Sequence, residues 1–149
     1  MAISQKCQYA LRALFELARR HPGGPTTIPD IAKVQAIPPR FLELILGQLR
    51  KADLVESRRG VHGGYALACG PAELCVGRVI RLMDGPLDPV NCAPAGGRPR
   101  CPLSGDCAFA GLWRRARDAV EQVYDQTTFQ DLLDEYQAAG HGQPPMYSI

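Results

Sequence analysis

The sequence predicts a mostly α-helical fold with one small β-hairpin, and three observations carry that expectation. Apolar residues recur at helical spacing through the first third of the chain. A basic, glycine-rich tip, Arg58-Arg-Gly-Val-His-Gly-Gly64, separates two short runs of strand character. A second long amphipathic stretch then follows a segment almost devoid of aliphatic residues.

The first helix starts at Ser4, a good N-cap, and runs to about Arg20. Ala10, Leu11, Leu14, Phe15, Leu17 and Ala18 give it one apolar stripe. His21-Pro-Gly-Gly-Pro25 breaks it. A second helix starts at Thr27, with Asp30 as a capping-box-like partner, and ends near Gln35. A third begins at Pro38-Pro39, where proline suits a first turn, and carries Leu42, Ile45, Leu46 and Leu49 at i, i+3, i+4 and i+7. Two short helices joined by a tight turn at Ala36-Ile37 form a helix-turn-helix. Leu54–Ser57 and Tyr65–Ala68 then read as the strands of a hairpin, which makes the unit a winged helix. Pro71 to about Met83 reads as one helical segment, ended by Asp84-Gly-Pro86. A long helix is expected from about Cys107 to Tyr124, with Leu112, Ala116, Ala119 and Val123 on one face. Thr128, with Asp131 as its N3 partner, caps a last helix carrying Phe129, Leu132, Leu133 and Tyr136. The tail after Gly140 has no periodicity and is expected to be loose.

Composition narrows the class. A chain of 149 residues with 46% hydrophobic and 21% charged residues is a globular protein of one domain, or of one domain and an appendage. A net charge of +2 is too small for global charge to argue nucleic-acid binding, so local clustering must. The N-terminus is amphipathic and unlike a signal peptide. No segment approaches the roughly 20 apolar residues that span a bilayer. Six cysteines without an export signal point to a reducing cytoplasm. No enzyme constellation emerges: the histidines have no neighbouring nucleophile, and Gly60, Gly63 and Gly64 suit a wing better than a phosphate cradle.

The apolar stripe of helix three faces inward, leaving Arg40, Phe41, Glu43, Leu44, Gln48 and Lys51 outside. A recognition helix sets such residues against base edges in the major groove of double-stranded DNA. Arg40 suits guanine and Glu43 a cytosine amine, while Phe41 or Leu44 suits thymine methyls. Glu43 is repelled by phosphates, so any role it has is selectivity. Arg58, Arg59 and His62 occupy a wing tip that reaches phosphates or a minor groove. Lys6 and Tyr9 lie where the first helix meets backbone phosphates.

The run Asn91 to Asp106, NCAPAGGRPRCPLSGD, holds almost nothing that builds a core. Yet Cys92 and Cys101 stand in it and Cys107 follows at once, at gaps of eight and five residues. A metal or iron–sulphur centre would order such a loop, because each thiolate–metal bond replaces many weak contacts. Iron–sulphur centres usually take four protein ligands, so a fourth must come from elsewhere or be left open. Zinc with three cysteines wants a histidine, and His21, His62 and His141 all lie away from the loop. A thiol switch and inert thiols are the other readings. Cys69 and Cys75 read as small buried hydrophobes, and Cys7 is ambiguous.

Over about residues 1–137 the chain resembles the IscR/NsrR-type transcription regulators, the Rrf-two family. The resemblance rests on Ser4-Gln-Lys-Cys-Gln-Tyr-Ala10, Phe41-Leu-Glu43, Leu49-Arg-Lys51, Leu54-Val-Glu-Ser-Arg-Arg-Gly60, Gly63-Gly-Tyr65, the three loop cysteines and Leu112-Trp113. It implies a homodimeric winged-helix regulator, paired through the long helix, whose loop holds an iron–sulphur cluster. The cluster's state would govern operator binding in response to iron–sulphur status, nitric oxide or redox stress. Three departures stand out. The first cysteine gap is longer than the commonest family spacing. Ala110 stands where IscR-like members place a histidine, and Gln8 where NsrR-like members place a carboxylate. Candidates for the fourth ligand are, in order, Cys7 of the partner subunit, Asp106 and Gln8.

The resulting expectation is a cytoplasmic homodimeric regulator, read as a repressor, that binds an operator and no membrane. Its ligands are Cys92, Cys101, Cys107 and Cys7, with a 2Fe–2S centre favoured over 4Fe–4S. Residues 1–84 form the winged helix-turn-helix, 85–106 the cysteine loop, 107–137 the dimerisation and C-terminal helices, and 138–149 the tail. The rival is a cluster-free protein of the same fold that acts through protein contacts or a thiol switch.

Overall fold

The structure, a computed structural model, describes residues 2–92, 94 and 101–142. Helix α1, Gln5–Arg20, starts where the Ser4 side chain accepts from the Cys7 N–H at 3.1 Å. It forms the hub against which most other elements pack. Ala10, Ala13, Leu14, Leu17 and Ala18 are all buried, and the alanines let neighbouring helices approach closely.

Thr27 caps α2, Ile28–Gln35, by accepting from the Asp30 N–H, and its hydroxyl donates to the Asp30 carboxylate at 2.8 Å. The helix ends at Ala36, which adopts the left-handed conformation (φ 50°, ψ 50°). That conformation costs a non-glycine residue about 1 kcal/mol or more, so its surroundings must hold it. The Ile37 N–H donates to the Ala32 carbonyl at 3.0 Å, and Arg12 of α1 donates to the Ala36 carbonyl at 3.3 Å. Helix α3, Pro39–Lys51, buries Leu42, Ile45, Leu46 and Leu49, the four positions its period selects.

The wing consists of β1, Val55–Arg58, and antiparallel β2, Gly64–Leu67, with Val55 opposite Leu67 and Arg58 opposite Gly64. Each strand lies within a residue of its expected place. Thr26 extends the pairing, exchanging two backbone bonds of 2.8 Å with Tyr65. Gly64 is obligatory at this junction. Its φ is +143°, and a Cβ there would lie 2.4 Å from the Thr26 carbonyl oxygen.

The single helix expected over 71–83 is instead two pieces. Pro71–Glu73 forms one 3-10 turn, and α4 runs Val76–Asp84. Between them the backbone is extended, because it is bonded to the segment entering the last helix. Val76 donates to the Thr127 carbonyl at 2.9 Å, and Phe129 to that of Leu74 at 3.0 Å. Helix α5 is Ala110–Gln126, beginning three residues later than expected. Cys107 lies outside it, because residues 101–110 form successive turns: Ser104 bonds Cys101, Asp106 bonds Leu103 and Ala110 bonds Cys107. Helix α6, Phe129–Ala138, opens with the Thr128–Asp131 capping box.

Two cores result. The larger joins α1, α2, α3 and the wing to Leu74, Val79, Phe129 and Leu133, so segments on both sides of residue 84 share it. The smaller gathers Cys7, Val76, Ile80 and Leu87, with Val120 and Tyr124 of α5 against it. The Leu112, Ala116, Ala119 and Val123 stripe therefore lies off the face that α5 packs inward. No residue of α5 is buried, and Leu112 and Val123 are 45% and 61% exposed. Residues 141–142 form a turn, and 143–149 of the expected tail lie outside the described residues. Among the described residues, no helix is long and apolar enough to cross a membrane.

Candidate nucleic-acid interface and cysteine loop

Burial of its apolar stripe turns the other side of α3 to solvent. Arg40, Phe41, Glu43, Leu44, Gln48 and Lys51 are all exposed, Phe41 by 58% and Leu44 by 70%. Lys6, on the first turn of α1, opens onto the same shallow concavity as Phe41, Glu43, Leu44 and Lys51. Large apolar side chains between cations can meet thymine methyls and phosphates together. Tyr9 is half-buried, with the Arg12 guanidinium 5.5 Å from its ring centre.

Arg58, Arg59 and His62 are exposed around the wing tip, whose apex Val61 is 96% exposed. Arg50 donates to the Ser57 hydroxyl at 3.3 Å and so ties α3 to β1. Arg12 and Arg50, which hold the turn and the wing, escaped the sequence reading. So did Glu16, a buried carboxylate that accepts from Arg19, Arg20 and Gln35. The i+3 and i+4 arginines were the available signal for Glu16.

Cys92, Cys101 and Cys107 are free thiols, each half-buried. Free thiols are suitable donors for an iron–sulphur centre. Residues 93 and 95–100 lie outside the described residues, and among the described ones no three of His, Cys, Asp and Glu are gathered as a metal-holding group. The loop is tied to the helices on its N-terminal side, where Asp88 meets Arg117 of α5 at 3.4 Å. On its C-terminal side, Phe109 stacks on Trp113 with ring centres 6.1 Å apart.

The fourth-ligand candidates differ in setting. Cys7 is fully buried in the smaller core. Burial first, then the Asp84 carboxylate, push its thiol up to about 11, which disfavours the thiolate that a ligand supplies. Asp106 is exposed within the loop. Gln8 is exposed, with its amide donating to the Ile3 carbonyl at 3.1 Å. Cys69 is half-buried against the main core, and burial raises its thiol too. Cys75 is half-buried and precedes α4.

A helix-turn-helix with an exposed recognition face and a basic wing defines a DNA-binding transcription regulator. The sequence profile of the Rrf2 family, described as "Iron-dependent Transcriptional regulator", matches residues 3–135. The chain belongs to the Rrf2 family. It is 39% identical over 132 residues to the regulator CymR of Bacillus subtilis, covering 89% of each chain. It is 33% identical over 134 residues to the regulator IscR of Pectobacterium atrosepticum, covering 90% of this chain and 80% of that one. Among solved structures, CymR, described as the global cysteine regulator of B. subtilis, superposes with a TM-score of 0.75 at 36% identity, covering 91% of this chain and 98% of that one. IscR of T. potens also gives 0.75, at 30% identity over 99% and 97%. These relatives are transcription regulators and not enzymes.

Proposed function

We propose that this protein is a homodimeric, operator-binding regulator whose DNA affinity is set by an iron–sulphur cluster on Cys92, Cys101 and Cys107. The observation that carries the reading is three free, half-buried thiols on one loop that is anchored to α5. The family description as iron-dependent supports it. When bound, the cluster would supply a redox-sensitive and nitric-oxide-sensitive centre that orders the loop. Asp106, exposed on the loop, suits the fourth position better than Cys7, sealed in the core.

Arg40, Phe41, Glu43 and Leu44 read bases, while Lys6, Tyr9 and the wing residues Arg58, Arg59 and His62 hold the DNA backbone. The exposed stripe of α5 pairs two copies, its alanines allowing close helix approach. Sedimentation should give a dimer at micromolar concentration, and a monomer there removes that part of the proposal.

Similarity to CymR, a cysteine regulator by its description, favours a second reading in which the loop thiols carry no cluster and the signal arrives through protein contact or a thiol switch. Purification without oxygen separates the two. Brown protein containing iron, with colour and iron lost from Cys92→Ala, Cys101→Ala and Cys107→Ala but kept in Cys69→Ala and Cys75→Ala, supports the cluster. Colourless wild-type protein without iron supports the second reading. Retention of colour in Cys7→Ala together with its loss in Asp106→Ala would place the fourth ligand on the loop.

A further inference from the structure

Helix α1 has no acidic residue in its own first turn to face its positive end. A carboxylate reaches that end from 80 residues away in sequence. Asp84, the last residue of α4, accepts from the Ser4 backbone N–H through Oδ2 at 2.8 Å, and its Oδ1 accepts from the Ser4 hydroxyl. The same Ser4 oxygen accepts from the Cys7 N–H at 3.1 Å. Asp84 thus holds the residue that starts α1, and it carries the charge that a helix N-terminus favours.

Lys6 lies two residues beyond Ser4 and opens onto the exposed face of α3. On the other side of Asp84, Leu87 is buried in the core containing Cys7, and Asp88 pairs with Arg117. One short stretch therefore joins the base of the cysteine loop to the end of the helix that presents Lys6.

We propose that Asp84 is a positioning residue for DNA binding, acting through Ser4 to hold Lys6 beside the recognition helix. The proposal rests on the reading of Lys6 as a phosphate contact. It makes an expectation opposite to simple electrostatics. Removing a carboxylate near bound DNA should strengthen binding or leave it alone, because the carboxylate repels phosphates. A positioning carboxylate should instead take the lysine contact with it when removed.

The test is the salt dependence of binding to an operator duplex by the full-length protein. Lys6→Ala should lower the slope of log K against log salt by about 1 for each lost phosphate contact. Asp84→Ala should lower it similarly, and the Lys6→Ala/Asp84→Ala double variant should show no further fall. Asp84→Asn, which keeps one acceptor for Ser4, should restore part of the slope. Ser4→Ala removes the hydroxyl bond to Asp84 and the cap on the Cys7 N–H but keeps the backbone bond to Asp84, so it should lower the slope in part, and the test stands even if Asp84→Ala folds poorly. A wild-type slope in both Asp84→Ala and Ser4→Ala, or losses that add to that of Lys6→Ala, would overturn the proposal. A lower melting temperature with an unchanged slope would mark Asp84 as a structural cap and overturn it as well. If Lys6→Ala itself leaves the slope unchanged, the phosphate contact is wrong and the proposal falls with it, an outcome visible in the single variant.

Discussion

Replacing Glu16 tests whether a buried carboxylate helps set the end of α2 against α1. Glu16 is 2% exposed, and its carboxylate accepts from Arg19 at 3.0 Å, Arg20 at 2.8 Å and Gln35 at 3.1 Å. Both arginines lie on α1 itself, with side chains 33% and 40% exposed. Solvent screens these pairs, so each contributes about 0.3–0.5 kcal/mol. The Gln35 bond is the one that crosses between helices. As a bond to an ionised group from a half-buried donor, it contributes about 1.5 kcal/mol. Glu16→Ala should therefore destabilise the fold by about 2–3 kcal/mol, lowering the melting temperature by roughly 5–10 °C in a chain of this size. Glu16→Gln keeps the volume and one acceptor, and should lose about half as much. Thermal melts followed by circular dichroism give both values. A double-mutant cycle with Gln35→Ala should return a coupling of about 1 kcal/mol. Gln35 leads directly into the strained Ala36, so operator affinity should fall with stability. A Glu16→Ala melt within about 1 °C of wild type, or additive Glu16 and Gln35 losses, would refute the reasoning.

Arg59→Ala should weaken operator binding by about 1–3 kcal/mol, measured by fluorescence anisotropy. Glu43→Ala should instead broaden the range of sequences bound, and a uniform loss across all sequences would remove its selectivity role. Gly64→Ala should cost about 2 kcal/mol or more, because the added methyl meets the Thr26 backbone. Gly60→Ala, at φ +110° with nothing within 4 Å, should cost only about 1 kcal/mol of strain, and equal losses at the two sites would contradict this account of the wing. The backbone N–H and hydroxyl of Thr128 hold the Asp131 carboxyl below its ordinary value of 3.8. A carboxylate depressed in the folded state stabilises above its unfolded pKa, and that contribution fades as pH falls through the folded one. The stability gap between wild type and Asp131→Asn should therefore be full at neutral pH and close below about pH 4, with a pH-independent gap counting against the capping box.

Much of the architecture was legible because its determinants are local. The α3 stripe of Leu42, Ile45, Leu46 and Leu49 is buried as its period requires, and Ser4, Thr27 and Thr128 all cap the helices they were assigned. Helical period and capping involve residues three or four apart, so the chain displays them directly. The outward face of α3 and the basic wing tip followed from the same logic, as the complement of what is buried. The family resemblance, carried by many short segments together, agrees with the profile match.

Residue order by itself determined the helix-turn-helix, the wing, and the placing of three thiols in a segment poor in packing residues. Tertiary structure decided what long-range pairing controls. Bonds from Val76 to the Thr127 carbonyl and from Phe129 to the Leu74 carbonyl split the expected helix over 71–83. Packing buried Glu16 on an otherwise apolar helix surface and turned Cys7 into the smaller core. It also brought Asp84 to the start of α1, a pairing no local pattern announces. A polar side chain is settled in place only by partners that satisfy it, and the deciding ones come from other elements: Gln35 of α2 for the buried Glu16, and Ser4, 80 residues away, for Asp84.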